Sequence, residues 1–209
     1  MKKLFLMTAI IVVVAGQTYA QQTRDEISFG FKIGTNYANV YDSQGEKFTA
    51  DGKFGLAAGA FLSLPLGKFI GIQPEILYSE KGFTGSGSFL GSNYNVTRTT
   101  TYIDIPLLLA IKPISFLTIL AGPQYSFLIK QNNNFSSSLA TVDQQKIFDN
   151  DNIRKNVLGL TGGLDINFSS FVIGARAGWD VQNNNGDGTS TTPRYKNAWY
   201  QATIGFRFF

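Results

Sequence analysis

The side chains able to do chemistry are few, and most fall at one parity of alternating segments. Lys32, Glu75, Asp104, Asp165, Arg176 and Arg207 each stand among small or polar neighbours, while the residues on either side are apolar. Two carboxylates, Glu75 and Asp104, belong to adjacent segments and could share acid and base roles. The competing role is charge neutralisation: a buried carboxylate needs a cation, and Arg176, Arg207 and Lys32 are available at the same parity. The chain has no His and no Cys. Ser-His and Cys-His nucleophiles, most zinc sites, disulfides and thiol-linked lipid anchors are therefore excluded. We expect no enzyme, no cofactor and no metal. Asp149-Asn150-Asp151-Asn152 and Asn183 with Asn185-Gly186-Asp187-Gly188 are reminiscent of a calcium loop, but the closing Glu is missing. Asn, Asp and Gly are ordinary loop formers, and a solvated loop is the favoured reading.

The elements that must position these charges follow a period of two. Ile27, Phe29, Phe31 and Ile33 alternate with Ser28, Gly30, Lys32 and Gly34. Ile70, Ile72, Ile76 and Tyr78 alternate with Gly71, Gln73, Glu75, Ser79 and Lys81. The same pattern runs through segments starting near Phe54, Ile103, Leu117, Leu158, Phe171 and Tyr200. In the second segment Phe61 is an exception, large on the small-residue face. Eight strands result. Their connections alternate between long polar stretches (38–53, 84–98, 131–156 and 183–197) and short turns at Leu66-Gly67-Lys68, Pro113-Ile114-Ser115 and Ser169-Ser170. In an up-and-down meander all long loops lie at one end, as in outer-membrane barrels.

Parity decides between a soluble and a membrane barrel. The bulky apolar face is too large for the interior of eight strands, whereas glycine and the six charges fit a narrow polar lumen. Bulky residues facing lipid, with no open sheet edge in hydrocarbon, require closure. The fold class is therefore all-β: an eight-stranded antiparallel up-and-down transmembrane β-barrel. Its apolar face ends in aromatic residues. Tyr37, Tyr78, Tyr125, Trp179 and Tyr200 fall at the long-loop rim, and Phe29, Phe168, Phe171, Phe206 and Phe208 at the short-turn rim, as expected of interfacial girdles. Pro74, Pro106 and Pro123 lie inside three consecutive strands, where each removes a ladder donor; local bulges or bends are expected there.

The amino-terminal residues supply an address. Met1-Lys2-Lys3, the apolar run from Leu4 to Ala15, and Thr18-Tyr19-Ala20 form a secretory signal peptide, too short for a spanning helix. Cleavage is expected between Ala20 and Gln21, leaving residues 21–209 as one barrel domain. The formal charge of +4 includes Lys2 and Lys3, so the exported part carries +2. Its basic residues form no run, and no nucleic-acid partner is expected.

Three segments carry a resemblance. Ile70-Gly71-Ile72-Gln73-Pro74-Glu75-Ile76-Leu77-Tyr78-Ser79-Glu80-Lys81-Gly82, Tyr102-Ile103-Asp104-Ile105-Pro106-Leu107-Leu108-Leu109 and Ala121-Gly122-Pro123-Gln124-Tyr125 resemble the PorT-like outer-membrane β-barrel family of Bacteroidetes. The neighbourhoods of Arg176 and Gly205-Phe206-Arg207-Phe208 fit it too. The resemblance implies an integral outer-membrane location and a link to type IX protein secretion through the founding member. It also implies that Phe208, here followed by Phe209, forms the terminal signal read by the barrel-assembly machinery. The partners expected are outer-membrane lipid, that machinery, and a protein at the 131–156 loop, whose Leu139, Val142, Ile147 and Phe148 offer apolar anchors. The leading expectation is a barrel with a plugged lumen, long loops outside and both termini in the periplasm. The alternative is a narrow pore for water, ions or small solutes.

Overall fold

Alternating side chains leave the backbone extended, and here they give eight antiparallel strands. The computed structural model describes residues 26–41, 49–89, 92–137, 154–184 and 195–208. The strands are β1 (Ser28–Tyr41), β2 (Thr49–Pro65), β3 (Ile70–Phe89), β4 (Ser92–Ile114), β5 (Leu117–Ser137), β6 (Asn156–Phe168), β7 (Phe171–Asp180) and β8 (Lys196–Phe208). Each pairs with its sequence neighbour, and β1 pairs with β8 from Phe29↔Phe208 to Tyr41↔Lys196, closing the barrel. All-β, eight-stranded and antiparallel, this is the expected fold. Closure pairs the backbone groups that a sheet edge would otherwise expose to hydrocarbon.

The two faces divide as the alternation requires. Along β1 the burial pattern reads buried, exposed, buried, exposed from Ser28 onward. Phe54, Ile76, Leu107, Ile173 and Ile204 point outward, while Lys32, Glu75, Asp104, Asp165 and Arg176 are buried inside. The apolar side chains that do face inward are limited and specific. Leu108, Ala110 and Leu120 form one small cluster on β4 and β5. Phe61, the exception on β2, fills the lumen beside Gly30, where a Cβ would lie 2.5 Å from its ring. Trp199 is accommodated in the same way by Gly178, where a Cβ would overlap the indole. Glycine on one strand thus makes room for an interior aromatic on the next.

Two expectations are corrected. The prolines carry no bulges. The pairing lapses between Pro74↔Leu107 and Leu77↔Asp104, and between Pro106↔Gln124 and Leu109↔Ala121, but resumes in the same register. A missing N–H interrupts a ladder without adding a residue to it, so the side-chain parity passes through unchanged. The irregularities fall elsewhere: between Gly52 and Ala57 on β2, and at Thr101/Tyr102 and Ile111/Ile114 on β4.

The second correction concerns the long polar stretches. Most of 84–98 is strand, because β3 and β4 stay paired up to Phe89↔Ser92, and β5 follows β4 as far as Ser137. Likewise β1 reaches Tyr41 and β2 begins at Thr49. Beyond the apolar band both faces of a strand are polar, so hydrophobic alternation no longer marks it. The turns after β2 and β6 lie where expected, and the one after β4 falls at Ser115 and Phe116, with Pro113 and Ile114 still in the strand; Ser169, in the two-residue β6–β7 turn, has φ 53. Ala20, Gln21, Phe209 and residues 138–153, including Leu139, Val142, Ile147, Phe148 and the Asp149–Asn152 run, lie outside the described residues, as do residues 185–188.

Candidate functional site: the charged lumen

Inward parity on β1, β3, β6 and β7 brings four charges together in mid-barrel. Lys32 Nζ contacts Glu75 Oε2. Arg176 Nη1 lies 2.7 Å from Asp165 Oδ1, and Nη2 lies 3.6 Å from Glu75 Oε1. Gln73 Nε2 joins the two carboxylates, donating to Glu75 Oε1 at 2.9 Å and to Asp165 Oδ2 at 3.4 Å. Arg176 Nη1 also donates to the Leu164 carbonyl at 2.9 Å. Two cations and two anions are thus balanced, which is the condition for keeping charges out of water. Arg207 stands apart toward the short-turn end, donating to Asn167 Oδ1, whose Nδ2 donates to Thr118 Oγ1 at 3.1 Å.

A second layer lies closer to the long-loop end. Asp104 does not pair with Arg176, Arg207 or Lys32, contrary to expectation; its partner is Lys81, at 3.0 Å. They stand on the paired strands β3 and β4, Lys81 opposite Thr100 and Asp104 opposite Leu77, whereas the β7 arginine is three strands from Asp104. Lys81 Nζ also sits 3.7 Å from the Trp199 ring centroid and 5.1 Å from that of Tyr102, a cation held by aromatic faces as well as by a carboxylate. Asp180 Oδ2 accepts from Asn197 Nδ2 at 2.6 Å and from its N–H at 3.3 Å. Alongside, Gln201 donates to Asn36 Oδ1 and Asn36 donates to Ser79 Oγ, each at 3.0 Å.

Above this, Arg98 forms a third layer. Fully buried, it donates from Nε to Asn133 Oδ1 and from Nη1 to the Tyr195 hydroxyl, both at 2.9 Å. The Tyr195 ring meets Phe83 edge-on, with centroids 5.2 Å apart. Between the lower layers lies a cavity of about 10 Å³ bounded by Glu75, Leu108, Gln124, Arg176, Trp199 and Gln201. That is room for about one water molecule. Glu75 and Asp104, the carboxylates that could have shared proton transfer, belong to different ion pairs in different layers.

Of the six residues expected in the polar network, Lys32, Glu75, Asp165 and Arg176 share one cluster, while Asp104 and Arg207 have other partners. Lys81, Asp180 and Arg98 were missing from it. Lys81 and Asp180 stand at inward parity in their strands, so their position was already legible. Arg98 lies in a stretch with no apolar alternation and gave no signal.

The outer wall carries the two aromatic rows. Tyr37 lies opposite Tyr200 and Phe54, with Trp179 opposite Ala198 on β8 and Tyr125 opposite Leu158 on β6. At the other end Phe29 stacks on Phe208 at 5.1 Å, and Phe171 meets Phe206 edge-on at 5.3 Å. Phe168 pairs with Phe171 across the Ser169 turn.

The family model described as outer membrane protein beta-barrel domain matches residues 19–184. No curated protein matches the chain. Among solved structures, the OprG outer membrane protein of Pseudomonas aeruginosa aligns at 15% identity, covering 90% of this chain and 99% of its own, with a TM-score of 0.48. The attachment invasion locus protein Ail of Yersinia pestis aligns at 12% identity over 88% of this chain and 99% of its own, TM-score 0.46. Neisserial surface protein A aligns at 10% identity over 86% and 97%, TM-score 0.45.

Proposed function

The chain belongs to the outer membrane protein beta-barrel domain family, and we propose that it is a non-conducting barrel that presents a projecting extracellular sheet to a protein partner. As a member of that family it is an integral protein of the outer membrane, in contact with lipid. The observation that carries the rest is an imbalance in strand pairing. β5 pairs with β6 only as far as Phe127↔Asn156, yet it continues to Ser137. From Ile129 onward, among the described residues, β5 is bonded on its β4 side alone. The β3–β4–β5 sheet thus projects past the last β5–β6 pair, and a projecting sheet is a surface a protein partner can reach. It lies in the 131–156 region where a partner was expected.

In this reading the long-loop end is extracellular and both termini are periplasmic, after removal of residues 1–20. The Tyr and Trp row lies at the outer interface and the Phe row at the inner one, with Phe206, Phe208 and Phe209 presented to the barrel-assembly machinery during insertion. The three charged layers act structurally, and the protein is not an enzyme. A role in envelope assembly or protein secretion of the PorT-like kind suits a barrel whose sheet projects beyond its spanning wall.

Two measurements test this. In planar bilayers the purified protein is expected to show no steady conductance; a stable open level would replace the plugged barrel with the narrow pore. A photo-crosslinking residue at Asn132 is expected to yield one discrete adduct in intact cells, and the same residue at Lys68, in the β2–β3 turn, none. Adducts from Lys68 alone would move the partner to the other side of the membrane.

A further inference from the structure

Two sets of unpaired polar groups meet in mid-barrel. The first comes from a proline. The register that runs from Pro74↔Leu107 to Leu77↔Asp104 sets Pro106 opposite Glu75. Ile76 turns its carbonyl toward Gly59 on β2, where an added Cβ would collide with the oxygen. Successive carbonyls along a strand point to opposite neighbours, so that of Glu75 points to β4. There it meets Pro106, which has no N–H to give. The Glu75 carbonyl is therefore left without a ladder donor in the middle of the wall, where an unpaired group is costly.

The second set belongs to Arg176. Its Nη1 is committed to Asp165 and to the carbonyls of Leu164 and Ala175. Nε has no hydrogen-bond partner among the described residues. Neither has Nη2, whose 3.6 Å approach to Glu75 Oε1 is an ion-pair distance only. Both nitrogens are buried, so each keeps an N–H that bulk water does not reach.

Glu75, Pro106 and Arg176 all border the small cavity between the lower layers, together with Leu108, Gln124 and Gln201. Gln124 gives its Nε2 to Ser126 Oγ at 3.2 Å and Gln201 gives its own to Asn36, which leaves each amide oxygen as an acceptor.

We infer that this cavity is a binding site for one ordered water molecule, which joins the β3 wall to the arginine of β7. The chemistry of the occupant is set by its neighbours. Arg176 repels a metal cation and Glu75 repels an anion, whereas a neutral molecule that both accepts and donates suits the two together. The volume of about 10 Å³ admits nothing larger than water. A water there accepts from Arg176 and donates to the Glu75 carbonyl and to a glutamine oxygen, about the three bonds that buried waters make. The bond that Pro106 removes from the ladder is replaced by one that runs inward, and the proline is what frees the carbonyl for it.

The test uses the full barrel, refolded in deuterated detergent micelles with isotope-labelled arginine, and follows magnetisation transfer from water to the Arg176 Nε–H. That proton is assigned as the one missing from Arg176→Lys. A rotating-frame Overhauser peak, opposite in sign to chemical exchange, is expected. Leu108→Phe, which enlarges the apolar lining, should remove it. Pro106→Ala, which returns an N–H to the Glu75 carbonyl, should lower it about twofold, because one of roughly three bonds to the water is lost. No peak in the natural protein, or full height in Leu108→Phe, overturns the site. A peak with the sign of chemical exchange also overturns it, because bulk water then reaches the guanidinium. If Leu108→Phe does not fold, Pro106→Ala decides: an unchanged peak there overturns the bond to the wall.

Discussion

β3–β5 and β6–β8 are built from the same alternation but end differently. β6, β7 and β8 have 13, 10 and 13 residues, close to the length a tilted strand needs to cross a bilayer. β3, β4 and β5 have 20, 23 and 21. The shorter strands stop where lipid stops; the longer ones continue as a sheet in water. Lipid demands that every backbone group be paired within the wall, whereas water allows an edge to stand open. The short side therefore shows what spanning requires, and the excess on the long side is what reaches past it. The ion pairs divide in the same way: Arg176 on β7 ties β3 to β6 across the lumen, whereas Lys81 and Asp104 join direct neighbours.

The largest test of this contrast is Arg176→Ala. Removing the cation leaves Glu75 and Asp165 buried with only Lys32 and Gln73, and a loss of about 3–5 kcal/mol is expected in urea unfolding of vesicle-inserted protein. A loss under about 1 kcal/mol would mean that water replaces the guanidinium and the lumen is not dry. Gly178→Val comes next. It forces a Cβ onto the Trp199 ring, and an overpacking cost of about 1–3 kcal/mol should appear with a shift in tryptophan emission. Thr97→Pro addresses the other region. Thr97 pairs with Thr84 and Asn134 in the projecting sheet; the global unfolding midpoint should move by about 1 kcal/mol or less, while amide exchange in 130–137 accelerates. If the whole barrel melts instead, the projection is part of the spanning unit and the contrast fails. The smallest effect has the opposite sign. Ser169 holds a left-handed φ that suits glycine better, and Ser169→Gly should stabilise by up to about 1 kcal/mol in the same unfolding assay.

The same contrast explains what could be read from the sequence. β6–β8 were legible nearly to their ends, because Leu158, Leu160, Leu164 and Ile166 must face lipid while Gly159, Gly163 and Asp165 cannot. The upper halves of β3–β5 were not, because Thr97, Thr99 and Asn132 look like loop when neither side of the strand is apolar. Parity located Lys81 but not its partner: pairing depends on which strands lie adjacent at a given height, a consequence of register. The prolines were misread because an interrupted ladder and a bulge leave the same mark in a sequence; only register tells them apart.

The β1–β8 seam also constrains the order of events during folding. Seven of the eight strand pairs join neighbours in the sequence and can form as soon as both strands exist. The eighth sets Phe29 opposite Phe208, the most distant pairing the fold contains. Until it forms, β1 and β8 are both open edges, and every partly assembled state is a curved sheet liable to pair with another chain. Closing so large a loop is slow because its entropic cost falls due before the contacts that repay it. Insertion should therefore be limited by this last step, and catalysis of barrel assembly would act most effectively by holding β1 and β8 until they meet.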